Sequence, residues 1–120
     1  MTDPHTIVEF CGMAVLVGPI YEEFIYRGIA VSGLERPSRN WTPVLVSAVI
    51  FCIPHYVPGR GLLPFIGPFV LGLFLAWSYL RTRCVLTSFL VHAAFNCGVI
   101  FKDYLMHFHP GLIRHILGYE

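Results

Sequence analysis

Charge is the scarcest property of this sequence. Asp, Glu, Lys and Arg make up only 12% of its 120 residues, roughly half the ~25% usual in a soluble domain. Hydrophobic residues make up 56% and the mean hydropathy is +0.68, so the composition favours lipid as the solvent. The net charge of +1 comes without any basic run, and nucleic acid is not an expected partner. The four cysteines, Cys11, Cys52, Cys84 and Cys97, have no CxxC spacing, which removes a zinc ribbon and a disulfide framework. They lie in apolar stretches and read as buried free thiols. The start, Met-Thr-Asp-Pro-His, lacks the positive region of a signal peptide, and neither end carries a lipidation box. No repeat or low-complexity segment occurs, and the length suits one domain over 1–120.

Four apolar segments are present, and they predict an all-α fold: a polytopic membrane helix bundle of about four transmembrane helices. The first runs from about Thr6 to Gly33, kinked or divided near Gly18-Pro19. Residues 35–40, polar and proline-containing, form a loop. The second helix, from Trp41 to Pro54 or His55, is short for a full span of about 20 residues. After the Tyr56 to Gly61 turn comes an uncharged third helix, Leu62 to Leu80. Arg81-Thr-Arg83 makes a tight connection. The fourth helix runs from Cys84 to about Phe101, Lys102-Asp103 closes it, and 104–120 forms an interfacial tail. Arginines gather at 34–40 and 81–83, so the positive-inside rule makes those two loops cytoplasmic. The expected location is a multi-pass place in the plasma membrane.

Against this apolar background the few polar residues stand out. Glu22, Glu23 and Arg27 sit in one stretch, Pro19 to Gly28, and ionisable groups inside a span mark function by default. Glu23 and Arg27 are spaced i, i+4 with the acid first, the favourable order for an ion pair on one helix. Glu22 lies about 100° further round and needs another partner. His55 ends the second apolar segment, four residues after Phe51. His92 and Asn96 share one face of the fourth. Counted from the cytoplasmic loops at 1.5 Å per residue, Glu22 lies at about 16 Å, His55 at about 21 Å, His92 at about 12 Å and Asn96 at about 18 Å. Polar groups from three helices therefore reach a similar depth, as a shared hydrated cavity would require.

The set suits acyl-bond hydrolysis. Glu22 is a candidate base for water, with His55 sharing the proton or holding the water. His92 and Asn96 are candidate donors to an oxyanion. Glu22, His55 and His92 could also ligate zinc with an open fourth position, although no HExxH motif is present. Zinc is therefore a cofactor that the residue types allow but no motif requires. A bis-histidine haem site on His55 and His92 would leave Glu22, Glu23 and Arg27 unexplained.

The three clusters, Glu22-Glu23-Phe-Ile-Tyr-Arg27, Phe51-Cys-Ile-Pro-His55 and His92-Ala-Ala-Phe-Asn96, resemble the signatures of the CAAX prenyl protease and bacteriocin-processing (CPBP, or Abi) intramembrane proteases. Their order and the arginine-rich turn before the third are similar too, and the resemblance covers about residues 18–98. It implies an endopeptidase acting in the bilayer on a protein or peptide, prenylated or not. It implies Glu22 as the activator of water assisted by His55, His92 and Asn96 as the oxyanion pair, and Glu23 and Arg27 as supports. Family members usually carry further membrane helices before the first motif, so the resemblance implies a minimal or truncated member. Pro54 departs from a regular helix: it removes a backbone donor beside His55 and biases Ile53 away from helix. The alternative from another class is a non-catalytic relative, a scaffold or immunity-type protein that binds a peptide in the same cavity.

Overall fold

A computed structural model describes residues 4–34, 41–56, 58–59, 61–109 and 111. The loop expected at 35–40 and the end of the expected tail, 112–120, lie outside the described residues. Among the described residues the regular structure is entirely helical, with no strand, and the fold is all-α.

Helix α1 occupies residues 4–34 and changes register along its length. Pro4–Gly12 is α-helical, Met13–Val17 is π-helical, Gly18–Glu23 returns to α, Phe24–Val31 is again π, and Ser32–Leu34 closes it. The backbone stays right-handed helical through Gly18 and Phe24. The division expected at Gly18-Pro19 takes the form of this register change. Pro19 has no N–H to give, and the N–H of Gly18 reaches back to the Met13 carbonyl, five residues away, as in a π turn.

Helix α2 is Thr42–Cys52, opened by Pro43 in its first turn and tightened at its end into a 3-10 turn, Ile53–His55. Ile53 keeps helical angles, φ −57° and ψ −49°, so Pro54 ends the helix after His55 and not before it. Helix α3 is Leu63–Thr82 and α4 is Val85–Phe108. Arg81 and Thr82 thus belong to α3. The turn itself is Arg83, left-handed at φ 55° with its N–H on the Tyr79 carbonyl, followed by extended Cys84. Lys102-Asp103 does not close α4, which runs through it to Phe108. Neither residue interrupts a helical ladder, and the two side chains pair on the exposed surface at 3.1 Å.

The distribution of polarity is that of a molecule solvated by lipid. Large apolar side chains such as Phe10, Phe24, Leu63, Leu90 and Phe101 face outward. Glu23, Arg27, Ser47, Ser88 and His92 are buried. Helices α3 and α4 are long and apolar enough to cross a membrane, while α2 is shorter than the about 20 residues of a full span. Of the cysteines only Cys52 is buried; Cys84 and Cys97 are exposed, because in this fold an apolar stretch also supplies the outer face. Helices α2 and α3 meet through small residues. A Cβ on Gly72 would lie 3.0 Å from the Ala48 Cα and 3.3 Å from the Phe51 ring, so any larger residue would have to push the two helices apart.

Candidate active site

The innermost part of the site is an ion pair. Arg27 Nη1 donates to Glu23 Oε1 at 3.1 Å, and both side chains are fully buried. The i, i+4 spacing supplies this contact from one helix. A second bond crosses to α3, where Arg27 Nη2 donates to the Gly72 carbonyl at 3.0 Å. The guanidinium also lies 4.9 Å from the centroid of the Phe51 ring, a cation–π distance. Phe51 is the aromatic hub of the site. Its ring meets Tyr26 edge-on at 5.4 Å and His92 edge-on at 5.5 Å, and lies 5.0 Å from His55.

His92 faces both carboxylates. Its Nδ1 lies 2.9 Å from Glu23 Oε1, and its Nε2 lies 3.6 Å from Glu22 Oε2. The sequence reading left Glu23 to Arg27 alone. The structure instead makes one oxygen of Glu23 the shared acceptor of Arg27 and His92. A 100° phase difference separates Glu22 from Glu23 on α1, but an imidazole has two nitrogens on opposite edges and can address both. His55 is partly buried, with Nδ1 against the Phe51 carbonyl at 2.9 Å. Asn96 is also partly buried, and its Nδ2 donates to the Ala14 carbonyl at 2.8 Å. The sequence reading made this amide a candidate oxyanion donor; in the structure one of its hydrogens is engaged on α1.

A cavity of about 270 Å³ opens in front of these groups, lined by Glu22, His55, His92 and Asn96 on its polar side and by Pro68, Leu71, Phe95 and Val99 among its apolar residues. Residues from α1, the end of α2 and α4 therefore converge on one space. A larger groove of about 530 Å³, between Trp41, Val44, Leu45, Phe74 and Trp77, carries no charged side chain and none of the candidate residues.

A family model described as type II CAAX prenyl endopeptidase Rce1-like matches residues 4–98. The chain belongs to this family. Membership in the Rce1-like family supports a membrane-embedded protease of the CAAX type in general, and α3 and α4 have the length and composition this needs. No curated protein and no solved structure matches the chain.

The zinc set considered above gains no support from the described residues of this Rce1-like chain. Among the described residues no three His, Cys, Asp or Glu side chains are grouped so as to hold a metal ion. Sequence reasoning missed Gly72, whose only signal is a glycine in the middle of an uncharged helix. It also missed the carbonyls of Ala14 and Phe51, since backbone acceptors leave no trace in residue type.

Proposed function

We propose that the chain is an intramembrane endopeptidase that hydrolyses a peptide bond of a membrane-associated protein or peptide. Glu22 takes a proton from water as the water oxygen attacks the peptide carbonyl. His55, which holds Nδ1 on the Phe51 carbonyl, offers Nε2 to the same water. His92 Nε2 and the second amide hydrogen of Asn96 donate to the oxyanion of the tetrahedral intermediate. For His92 to donate there it must carry both ring hydrogens, and the Glu23 carboxylate behind Nδ1 offsets that charge. Arg27 offsets Glu23, and Glu22 is anionic until it takes the water proton, so the four formal charges sum to zero before the attack. The C–N bond then breaks, and the proton held by Glu22 passes to the leaving nitrogen.

The observation that carries this reading is the convergence of Glu22, His55, His92 and Asn96 on one cavity of about 270 Å³. The apolar side of that cavity suits a substrate segment in lipid. A prenyl group on the substrate and a multi-pass place in the plasma membrane, with the 81–83 turn cytoplasmic, belong to the same proposal. The test is turnover of prenylated and unprenylated peptides by the purified protein in detergent. Wild type is expected to cleave with or without a chelator, and Glu22→Ala is expected to be inactive. Equal turnover by the two proteins would overturn the assignment of Glu22.

A further inference from the structure

Two of the four cavity side chains are held by carbonyls that a proline has deprived of a helical donor. In α1 the N–H of Gly18 bonds to Met13, not to Ala14 as an α-helical register would require. In the π register the Ala14 carbonyl would take the N–H of residue 19. Residue 19 is proline, fully buried, and has none. The Ala14 carbonyl accepts instead from Asn96 Nδ2, 82 residues away on α4, at 2.8 Å.

The end of α2 repeats the device. Ile53 N–H bonds to the Ile50 carbonyl and Tyr56 N–H to the Ile53 carbonyl, each three residues back. In this 3-10 register the Phe51 carbonyl would take the N–H of residue 54, which is again proline. It meets His55 Nδ1 at 2.9 Å instead.

We infer that Pro19 and Pro54 are positioning residues: each withholds a backbone donor from one carbonyl, and that carbonyl then orients a side chain of the site, Asn96 and His55 respectively. The consequence for Asn96 is polarity. A carboxamide donates at one end and accepts at the other, and a carbonyl facing it holds the nitrogen and rejects Oδ1. The amide cannot flip, and its second hydrogen stays available to the cavity. A flipped amide would set Oδ1 against the developing oxyanion. The consequence for His55 is its tautomer. A carbonyl only accepts, so the hydrogen sits on Nδ1 and Nε2 keeps its lone pair. A base beside the attacking water needs that lone pair.

The catalytic consequence rests on the peptidase reading above; the hydrogen bonds do not, and the experiment separates the two. Pro19→Ala and Pro54→Ala restore an N–H at each position in the full chain, and alanine is the better helix former, so both variants are expected to fold. Nitrogen-15 NMR of the Asn96 side chain reads the first latch. In wild type one amide hydrogen is shifted and slow to exchange with solvent, and in Pro19→Ala the two become alike. Imidazole nitrogen shifts read the second, with His55 protonated on Nδ1 in wild type and moving toward Nε2 in Pro54→Ala. Turnover by each variant is expected to fall about tenfold in kcat, with KM within about twofold of wild type. Pairing Pro19→Ala with Asn96→Ala, or Pro54→Ala with His55→Ala, should cost nothing beyond the site substitution, because residues acting through one group are not additive. Unchanged spectra in both proline variants, or losses that multiply in the pairs, would overturn the inference. Spectra that change as expected in a protein without turnover would overturn the peptidase reading alone.

Discussion

His92 Nδ1 and Arg27 Nη1 approach the same oxygen, Oε1 of Glu23, at 2.9 Å and 3.1 Å. One buried atom therefore ties α1 to α4, and the other arm of Arg27 ties α1 to α3 through the Gly72 carbonyl. The imidazole that closes the cavity is oriented by a carboxylate that does not line it.

Breaking this pair should be costly. Arg27→Met leaves the fully buried Glu23 carboxylate without its guanidinium partner, a loss of about 3–5 kcal/mol. Thermal unfolding in detergent should show it. Arg27→Lys should recover only part, since an ammonium cannot reproduce the forked contact to Glu23 and Gly72. A lysine variant as stable as wild type would show that the fork is unimportant.

Glu22 should behave in the opposite way. Its side chain is 34% exposed, so Glu22→Gln should unfold within about 1 kcal/mol of wild type. The same variant should lose turnover by about 100-fold or more, because an amide cannot take the proton from water. A stable, fully active Glu22→Gln protein would remove Glu22 from the chemistry.

The crossing of α2 and α3 should not tolerate a methyl group. In Gly72→Ala the new Cβ would stand 3.0 Å from the Ala48 Cα, a backbone atom that moves only with its helix. Overpacking of this kind costs about 1–3 kcal/mol, and the shift also carries the Gly72 carbonyl away from Arg27. Adding Ala48→Gly relieves only the 3.3 Å methyl contact, so rescue should be partial. Full rescue in an unfolding experiment would place the strain elsewhere.

Cys84, outside the spans, provides a pH-dependent probe. Its exposed thiol accepts from the backbone N–H groups of Thr87 and Leu86, which hold its pKa below the ordinary thiol value. These bonds favour the thiolate, so the alkylation rate should reach half its maximum at lower pH than for a model peptide cysteine. Peptide-resolved mass spectrometry across a pH series measures this. A half-point at or above the peptide value would contradict it. A membrane-impermeant reagent used on the same residue tests the proposed orientation: Cys84 should label in inverted vesicles and not in intact cells.

The sequence by itself determined the solvent and the helices. Scarce charge in long apolar runs is a one-dimensional property, and it implies an all-α chain whose outward face is apolar. It also determined the Glu23–Arg27 pair, because i, i+4 partners meet within a single helix whatever surrounds it. The grouping of Glu22, His55, His92 and Asn96 was suggested by depth along the helices, since rise per residue is fixed. Tertiary structure alone decided which atoms meet. Rotation and approach of the helices set His92 between two carboxylates, set Gly72 under Arg27, and let the Ala14 carbonyl capture Asn96, while the local 3-10 register at Pro54 let the Phe51 carbonyl capture His55. Those contacts join residues from 4 to 82 positions apart, and they depend on helical register, which Pro19 and Pro54 alter locally and which no count of residues along a regular helix contains.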